Sequence, residues 1–118
     1  MTKAVLIHEE EGNIEEIVID IDPKKNEIFN ILSGRGTFIG QWPEIDVVIM
    51  KSVAGGTRND NTLPYPFHEE ETLGKILLIR MDEDSEPRDF TKEEFMALEW
   101  TPFHVTHLVC TSYTTGSV

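Results

Sequence analysis

Apolar and polar residues alternate along the first part of the chain in the pattern of a two-stranded hairpin. Residues 3–8 are rich in β-forming side chains and end at the acidic, glycine-containing segment 9–13. In residues 14–21 every second position from Ile17 onward is isoleucine, and the acidic residues Glu16 and Asp20 fall on the opposite face. Because side chains alternate between the two faces of a strand, this spacing predicts a sheet with one buried and one solvated face.

A helical spacing replaces this alternation in residues 24–33. Ile28, Ile31 and Leu32 fall on one stripe of a helix, as expected for a segment that packs against a core on one side. The dipeptide Asp22-Pro23 is typical of a helix start, and glycines follow the segment, as they often do where helices end. The pattern therefore predicts a short amphipathic helix over 24–33.

The rest of the chain alternates between strand-like segments and polar turns. Residues 53–72 are dense in turn-forming residues and lack periodicity, which predicts a long loop of the kind that is usually functional or mobile. The continuous apolar stretch in 74–81 predicts a central strand covered on both faces. The other predicted elements are strands over 37–42 and 44–51, a helix over 92–99 with a capping box at Thr91 and Glu94 and a buried side at Phe95 and Leu98, a strand over 103–109 and a polar tail over 111–118.

These elements define the expected fold class. The chain has 118 residues, close to the commonest domain size, so we expect a single domain over 1–118. The order of elements predicts an α+β fold, with a mixed or antiparallel sheet of five or six strands and two short helices on one side of it.

The net charge narrows the function classes. The chain carries 22 acidic and 10 basic residues, giving a formal charge of −12. Such a charge repels nucleic-acid phosphates and anionic membranes, so we expect no direct nucleic-acid binding and no membrane association. A single cysteine and the lack of a signal-peptide pattern or a long apolar run predict a cytoplasmic or otherwise intracellular protein. No residue pattern calls for a cofactor.

Several of these features occur together in one family. A short opening strand, a helix closed by glycine, the loop segment Arg58-Asn-Asp-Asn-Thr-Leu-Pro64, the strand over 74–79 and the segment Asp89-Phe-Thr-Lys-Glu-Glu94 follow one another in this order. Over residues 3–98 the chain resembles the domain-of-unknown-function family three-eight-four-six (DUF3846), small proteins of phages, large DNA viruses and mobile elements. The resemblance implies a viral or phage origin and supplies no catalytic residues.

The possible metal ligands are three residues near the C-terminus. His104, His107 and Cys110 are residue types that bind zinc, and a fourth ligand such as His68 would have to come from elsewhere. On the predicted strand, His104 and Cys110 lie on one face and His107 on the other, so one strand cannot present all three to a single ion. We therefore expect no metal site. The same geometry argues against a Cys110–His107 nucleophile pair.

Three other segments resemble known motifs only in part. The segment 68–72 starts like a zinc-protease helix but has threonine where the second histidine is needed. The pair Gly55-Gly56 could bring backbone amides close to a phosphate, with Arg58 as counter-charge, but the lysine of a P-loop is absent. The alternating acids of 82–86 lack the glycine and the distal glutamate of a calcium loop.

The charge distribution leaves three functional hypotheses open. Residues 68–99 hold eleven acidic and four basic residues, an acidic surface that could imitate the phosphates of a DNA duplex. We expect a non-catalytic accessory protein that binds another protein. The alternatives are an acidic decoy for a nucleic-acid-binding protein and a metal-dependent or phosphate-binding enzyme. The predicted partner-binding residues combine exposed aromatic anchors with the loop and its acids: Trp42, Arg58, Asn59, Asp60, Tyr65, Phe67, Glu69, Glu70, Glu71 and Trp100.

Overall fold

The computed structural model of the chain describes residues 1–64 and 66–98. Within them the fold is α+β, with a six-stranded antiparallel sheet and two short α-helices, as predicted. The elements are β1 (Thr2–Ile7), β2 (Ile14–Ile19), α1 (Glu27–Leu32), β3 (Gly36–Trp42), β4 (Val47–Ser52), β5 (Ile76–Met81), β6 (Pro87–Arg88) and α2 (Lys92–Met96), with 3-10 turns at Pro23–Lys25 and Pro43–Ile45.

The chain divides into two units. The first comprises residues 1–61 and 71–96 and contains the whole sheet and both helices. The second comprises residues 62–70 and 97–118. In the described part of the second unit Leu63 is buried, and successive turns are closed by the Phe67 amide donating to Pro64 and the Glu70 amide donating to Phe67.

The centre of the sheet is β5, as its apolar sequence predicted. The strand order is β2-β1-β5-β4-β3, and the short β6 also pairs with β5. Residues 76–79 are at most 2% exposed. The predicted hairpin is present as well, because β1 and β2 pair in antiparallel register from Thr2 opposite Ile19 to Ile7 opposite Ile14.

The two helices lie on opposite faces of the sheet, so the prediction of two helices on one side was wrong. On the face that we call the α1 face, Leu32 of α1 packs in a cluster with Ala4, Leu6, Leu77 and Ile79. The neighbouring strand residues Glu16 and Arg80 point to the other face, which we call the α2 face. There Glu16 accepts a hydrogen bond from the Lys92 amide, and Arg80 pairs with Glu94 of α2 at 2.9 Å. An apolar stripe shows that a helix packs on a sheet but carries no information about which face it covers.

The start of α1 also differs from the prediction. Asp22 caps the amide of Lys24 in the 3-10 turn, and the α-helix itself begins only at Glu27. Between them Asn26 adopts a left-handed conformation with φ of 58°. The residue before an α-helix usually has a β-region conformation. The left-handed Asn26 therefore interrupts the helical backbone between the 3-10 turn and α1.

The capping box of α2 is confirmed. The Thr91 hydroxyl accepts a hydrogen bond from the Glu94 amide at 3.1 Å, and the Glu94 carboxylate accepts one from the Thr91 amide at 3.2 Å. The predicted buried side is present at Phe95, which is fully buried. The helix ends at Met96 rather than at 99.

We expect Glu94 to make the stability of the fold sensitive to acid. Partial burial raises the pKa of Glu94, but hydrogen bonds from Thr91 and the Arg80 guanidinium outweigh this and hold the pKa below its ordinary value. A carboxylate whose pKa is lowered by folding stabilises the fold above the ordinary glutamate pKa of about 4.3 and loses this effect as pH falls. Glu94→Gln should therefore lower the denaturation midpoint near neutral pH, with the difference from the original chain shrinking below about pH 4.

The matched control is Glu93→Gln, because Glu93 is exposed on the same helix and is paired with no described residue. It should change the midpoint little at either pH. Equal effects of the two substitutions at every pH would show that the Thr91–Glu94–Arg80 contacts do not stabilise the folded state.

Several predicted features lie outside the described residues. These are the last strand over 103–109, the polar tail over 111–118, and the candidate residues Tyr65, Trp100, His104, His107 and Cys110. The prediction of one domain over 1–118 stays a prediction. Among the described residues, no helix has the length and apolar character needed to cross a membrane.

Candidate protein-binding surface

Hydrogen bonds hold residues 57–60 of the loop after β4, the segment that the sequence predicted to be functional or mobile. The Asn59 amide donates to Thr72 and the Asp60 amide to Glu9, each at 2.9 Å. The Gly74 amide donates to Thr57 at 2.6 Å. These bonds tie the loop to the strand-entry segment 71–74 and to the β1–β2 turn.

Two asparagine side chains hold this arrangement together. Asn59 is 5% exposed, and its side-chain amide donates to the Gly74 carbonyl at 2.9 Å. Asn61 reaches into the β1–β2 turn, where its Nδ2 donates to the carbonyls of His8 and Glu10 and its Oδ1 accepts from the Gly12 amide, each at 2.8 Å. Asn59 was a predicted contact residue and is a structural one, and Asn61 was missed because a lone asparagine in a polar loop has no distinctive sequence signal.

The glycines that suggested a phosphate loop allow two backbone segments to cross closely. A Cβ atom on Gly74 would lie 2.8 Å from the carbonyl oxygen of Gly55, and one on Gly56 would lie 3.2 Å from the Cα of Gly74. Gly55, Gly56 and Gly74 also have positive φ angles. Close packing therefore explains these glycines without a ligand.

Among the other predicted contact residues that the structure describes, one is buried and the rest are exposed or half-buried. Trp42 is only 3% exposed, so its predicted role as an exposed anchor is wrong. The structure brings Arg58 and Glu71 together as an exposed ion pair at 3.2 Å. Asp60, Glu69 and Glu70 are exposed, and Phe67 is half-buried. His68, the suggested fourth zinc ligand, lies 3.4 Å from the carboxylate of Glu69.

The acidic turn between β5 and β6 is organised around Asp82. Its Oδ1 accepts the amides of Glu86 and Asp84, and its Oδ2 pairs with Arg88 at 2.9 Å. The Glu86 amide, followed by the Asp84 amide and Arg88, holds the pKa of Asp82 below its ordinary value despite an opposing effect of burial. The Asp82 carboxylate thus stabilises the turn. Among the described residues no group of three or more His, Cys, Asp or Glu is arranged to hold a metal ion.

A groove on the α1 face is the most distinctive surface of the described residues. The sheet extends beyond the area that α1 covers, and the uncovered part is apolar. A cavity of about 180 Å³ lies there, lined by Ile21, Ile28, Phe38, Val48, Met50, Ile79 and Met81. It shares Ile21 and Ile28 with a cavity of about 220 Å³ beside α1, and Phe38 and Val48 with one of about 370 Å³ beside β3. We call these three adjoining cavities the groove.

Local sequence explains why the groove stays open. Gly36 allows α1 to sit close to the sheet, since a Cβ atom there would lie 2.9 Å from Met50 and 3.1 Å from Leu32. The helix has only six residues, so it covers only part of the α1 face. Phe38 and Phe29 are left 65% and 53% exposed at the groove. Large apolar side chains exposed beside an apolar cavity are typical of contact surfaces.

Among the described strands, the one that borders the groove lies at an edge of the sheet. β3 pairs with β4 on one side, and no other described strand pairs with it. A β-bulge lies between Phe38 and Gly40, and Ile39 within it is 38% exposed. An edge strand presents backbone donors and acceptors to a further strand.

The sequence does carry a signal for this surface. Residues 28–43 contain no aspartate or glutamate, although the chain has 22 of them, and Glu27 and Glu44 bracket the stretch. This acid-free stretch supplies most of α1 and all of β3. The predicted contact residues followed the aromatic and acidic positions instead, and so included only Trp42 from the stretch.

Comparison with known proteins identifies a family. Residues 5–98 fit the model of a family described as a family of unknown function, DUF5880. No curated protein and no solved structure matches the chain. The resemblance to DUF3846 was therefore wrong, because the strands, caps and turns that suggested it are generic and do not identify a family. The expectation of a viral or phage origin depended on that resemblance and loses its basis.

Proposed function

The chain belongs to the family of unknown function DUF5880, and we propose that it is a non-catalytic module that binds another polypeptide chain through the groove and β3. The observation that carries the proposal is the apolar cavity of about 180 Å³ in the groove, beside a strand edge that pairs with no other described strand, in a chain that is otherwise strongly acidic. Addition of a strand at such an edge supplies main-chain hydrogen bonds, and a neighbouring pocket selects side chains.

Apolar burial provides the expected driving force. Phe38 is 65% exposed and lines two of the three cavities. Covering a phenylalanine that is this exposed contributes on the order of 1–2 kcal/mol, which is about a tenfold change in Kd. Phe38 is therefore the residue at which a single substitution should weaken binding most.

Charged contacts have a smaller part in this proposal. In the first unit, the carboxylates of Asp82, Glu94 and Glu71 already pair with arginines of the same chain. Binding carried by the groove should lose much less affinity between about 0.1 M and 1 M salt than binding by an acidic decoy, whose contacts are screened as the screening length falls from about 10 to 3 Å.

The test compares two substitutions of exposed apolar residues with aspartate. Phe38→Asp places a charge in the groove. Val53→Asp places the same charge outside the groove, at a residue that is 54% exposed and lines none of the three cavities. Tagged forms of the original chain and both variants would be used to capture polypeptides from the cells in which the protein occurs. The original chain and Val53→Asp should capture the same polypeptide, and Phe38→Asp should lose it.

The four methionines then report where the captured polypeptide binds. Met50 and Met81 line the groove, whereas Met1 and Met96 are exposed and line none of its cavities. Adding the purified polypeptide to methyl-labelled protein should shift the NMR signals of Met50 and Met81 only. The proposal would be contradicted if capture survived Phe38→Asp or if the NMR shifts were confined to Met1 or Met96. It would also be contradicted if the original chain captured neither another polypeptide nor copies of itself.

A further inference from the structure

We infer that the polypeptide bound at this surface is a second copy of the chain, joined by antiparallel pairing of two β3 strands around a two-fold axis. The inference rests on the proposed function and names the partner of the same surface. Its support comes from the charges of the two sheet edges and of the two ends of β3.

Of the two edge strands in the described part of the sheet, β3 meets less charge repulsion from its own copy than β2 does. The segment from Gly36 to Trp42 has no charged residue, whereas β2 at the other edge carries Glu15 and Glu16. Like charges placed opposite each other on paired strands are destabilising. In a chain with a net charge of −12, charge therefore opposes self-pairing less at β3 than at β2.

The ends of β3 carry opposite charges, which fixes the direction of pairing. Arg35 precedes the strand and Glu44 follows it shortly after its end. Both side chains are exposed, and neither forms an ion pair with another described residue. In an antiparallel pair the beginning of one strand lies beside the end of the other. Two-fold symmetry then places each Arg35 near the Glu44 of the other copy, whereas parallel pairing would bring like charges together.

The apolar residues lie where this arrangement needs them. Phe38 and Ile39 are near the middle of β3, so a two-fold axis through the strand pair brings each close to its own copy. Both are exposed in the single chain, at 65% and 38%. Pairing covers them together with the part of the groove beside β3 and satisfies the free backbone groups of both edges.

Sedimentation of the purified full chain over a micromolar to submillimolar series tests the inference. The original chain should shift from the 13.5 kDa monomer to a dimer as its concentration rises. Arg35→Glu and Glu44→Arg should each weaken the dimer about tenfold or more, because the symmetry repeats each change at both ends of the strand pair. The double variant, with the two charges exchanged, should restore dimerisation to near its original strength.

Glu83→Arg is the matched control, since Glu83 is exposed in the turn between β5 and β6. It makes the same change in net charge as Glu44→Arg and should leave the dimer intact. A monomer throughout the series, or single reversals that are not rescued by the exchange, would overturn the inference. Capture of a different polypeptide that is lost with Phe38→Asp would in that case still uphold the proposed function, so the two failures are distinguishable.

Discussion

Replacing Gly74 with alanine should lower the free energy of unfolding by about 2–4 kcal/mol, one of the largest effects expected for a single methyl group in this chain. Gly74 has a φ angle of 80°, in the left-handed region, and the new methyl group would lie 2.8 Å from the carbonyl oxygen of Gly55. The obstacle is backbone, which cannot move aside as a flexible side chain can. Chemical denaturation of the original and variant chains measures the difference.

Gly12→Ala separates the two causes of this destabilisation. Gly12 has a φ angle of 81°, almost the same as Gly74, but no atom lies within 4 Å of a Cβ placed there. It should cost only the conformational penalty of about 1–2 kcal/mol. If Gly74→Ala proves no more harmful than Gly12→Ala, the close crossing at Gly55 does not exist as described.

Replacing Asn61 with aspartate should destabilise the fold by about 2–3 kcal/mol and by more than Asn61→Ala does. The side-chain Nδ2 donates to the carbonyl oxygens of His8 and Glu10 at 2.8 Å. A carboxylate has no proton to donate there and would instead face two acceptors with a negative charge. It would also add that charge to a turn that already contains Glu9, Glu10 and Glu11.

Asn30→Asp is the control for the change of an amide to a carboxylate. Asn30 is exposed on α1 and its side chain bonds to no described residue, so the free energy of unfolding should change by less than about 0.5 kcal/mol. Denaturation curves at neutral pH give both values. A small effect at Asn61, similar to that at Asn30, would mean that the loop and the β1–β2 turn are held together by other contacts.

The sequence by itself determined the local elements, because the signals for them lie within a few residues. The alternation in residues 14–21 identified the hairpin, the apolar stretch of 74–81 identified the central strand, and Thr91 with Glu94 identified the start of α2. Each of these patterns reports what a residue requires of its close neighbours in the chain: an alternating face, burial on both sides, or a partner for a free amide. The α+β class followed from their order.

Only the tertiary structure decided what distant segments do to one another. The side chain of Asn61 bonds to carbonyls 51 and 53 residues away, and the backbone at Gly74 crosses that at Gly55. Trp42, expected at the surface, is buried, because the exposure of an aromatic residue depends on which elements pack beside it. The groove, too, results from the packing of elements that are distant in the sequence. Its wall combines residues of α1, β3, β4 and β5, and within residues 1–64 and 66–98 it is open because a six-residue helix covers one part of the sheet and leaves the rest uncovered.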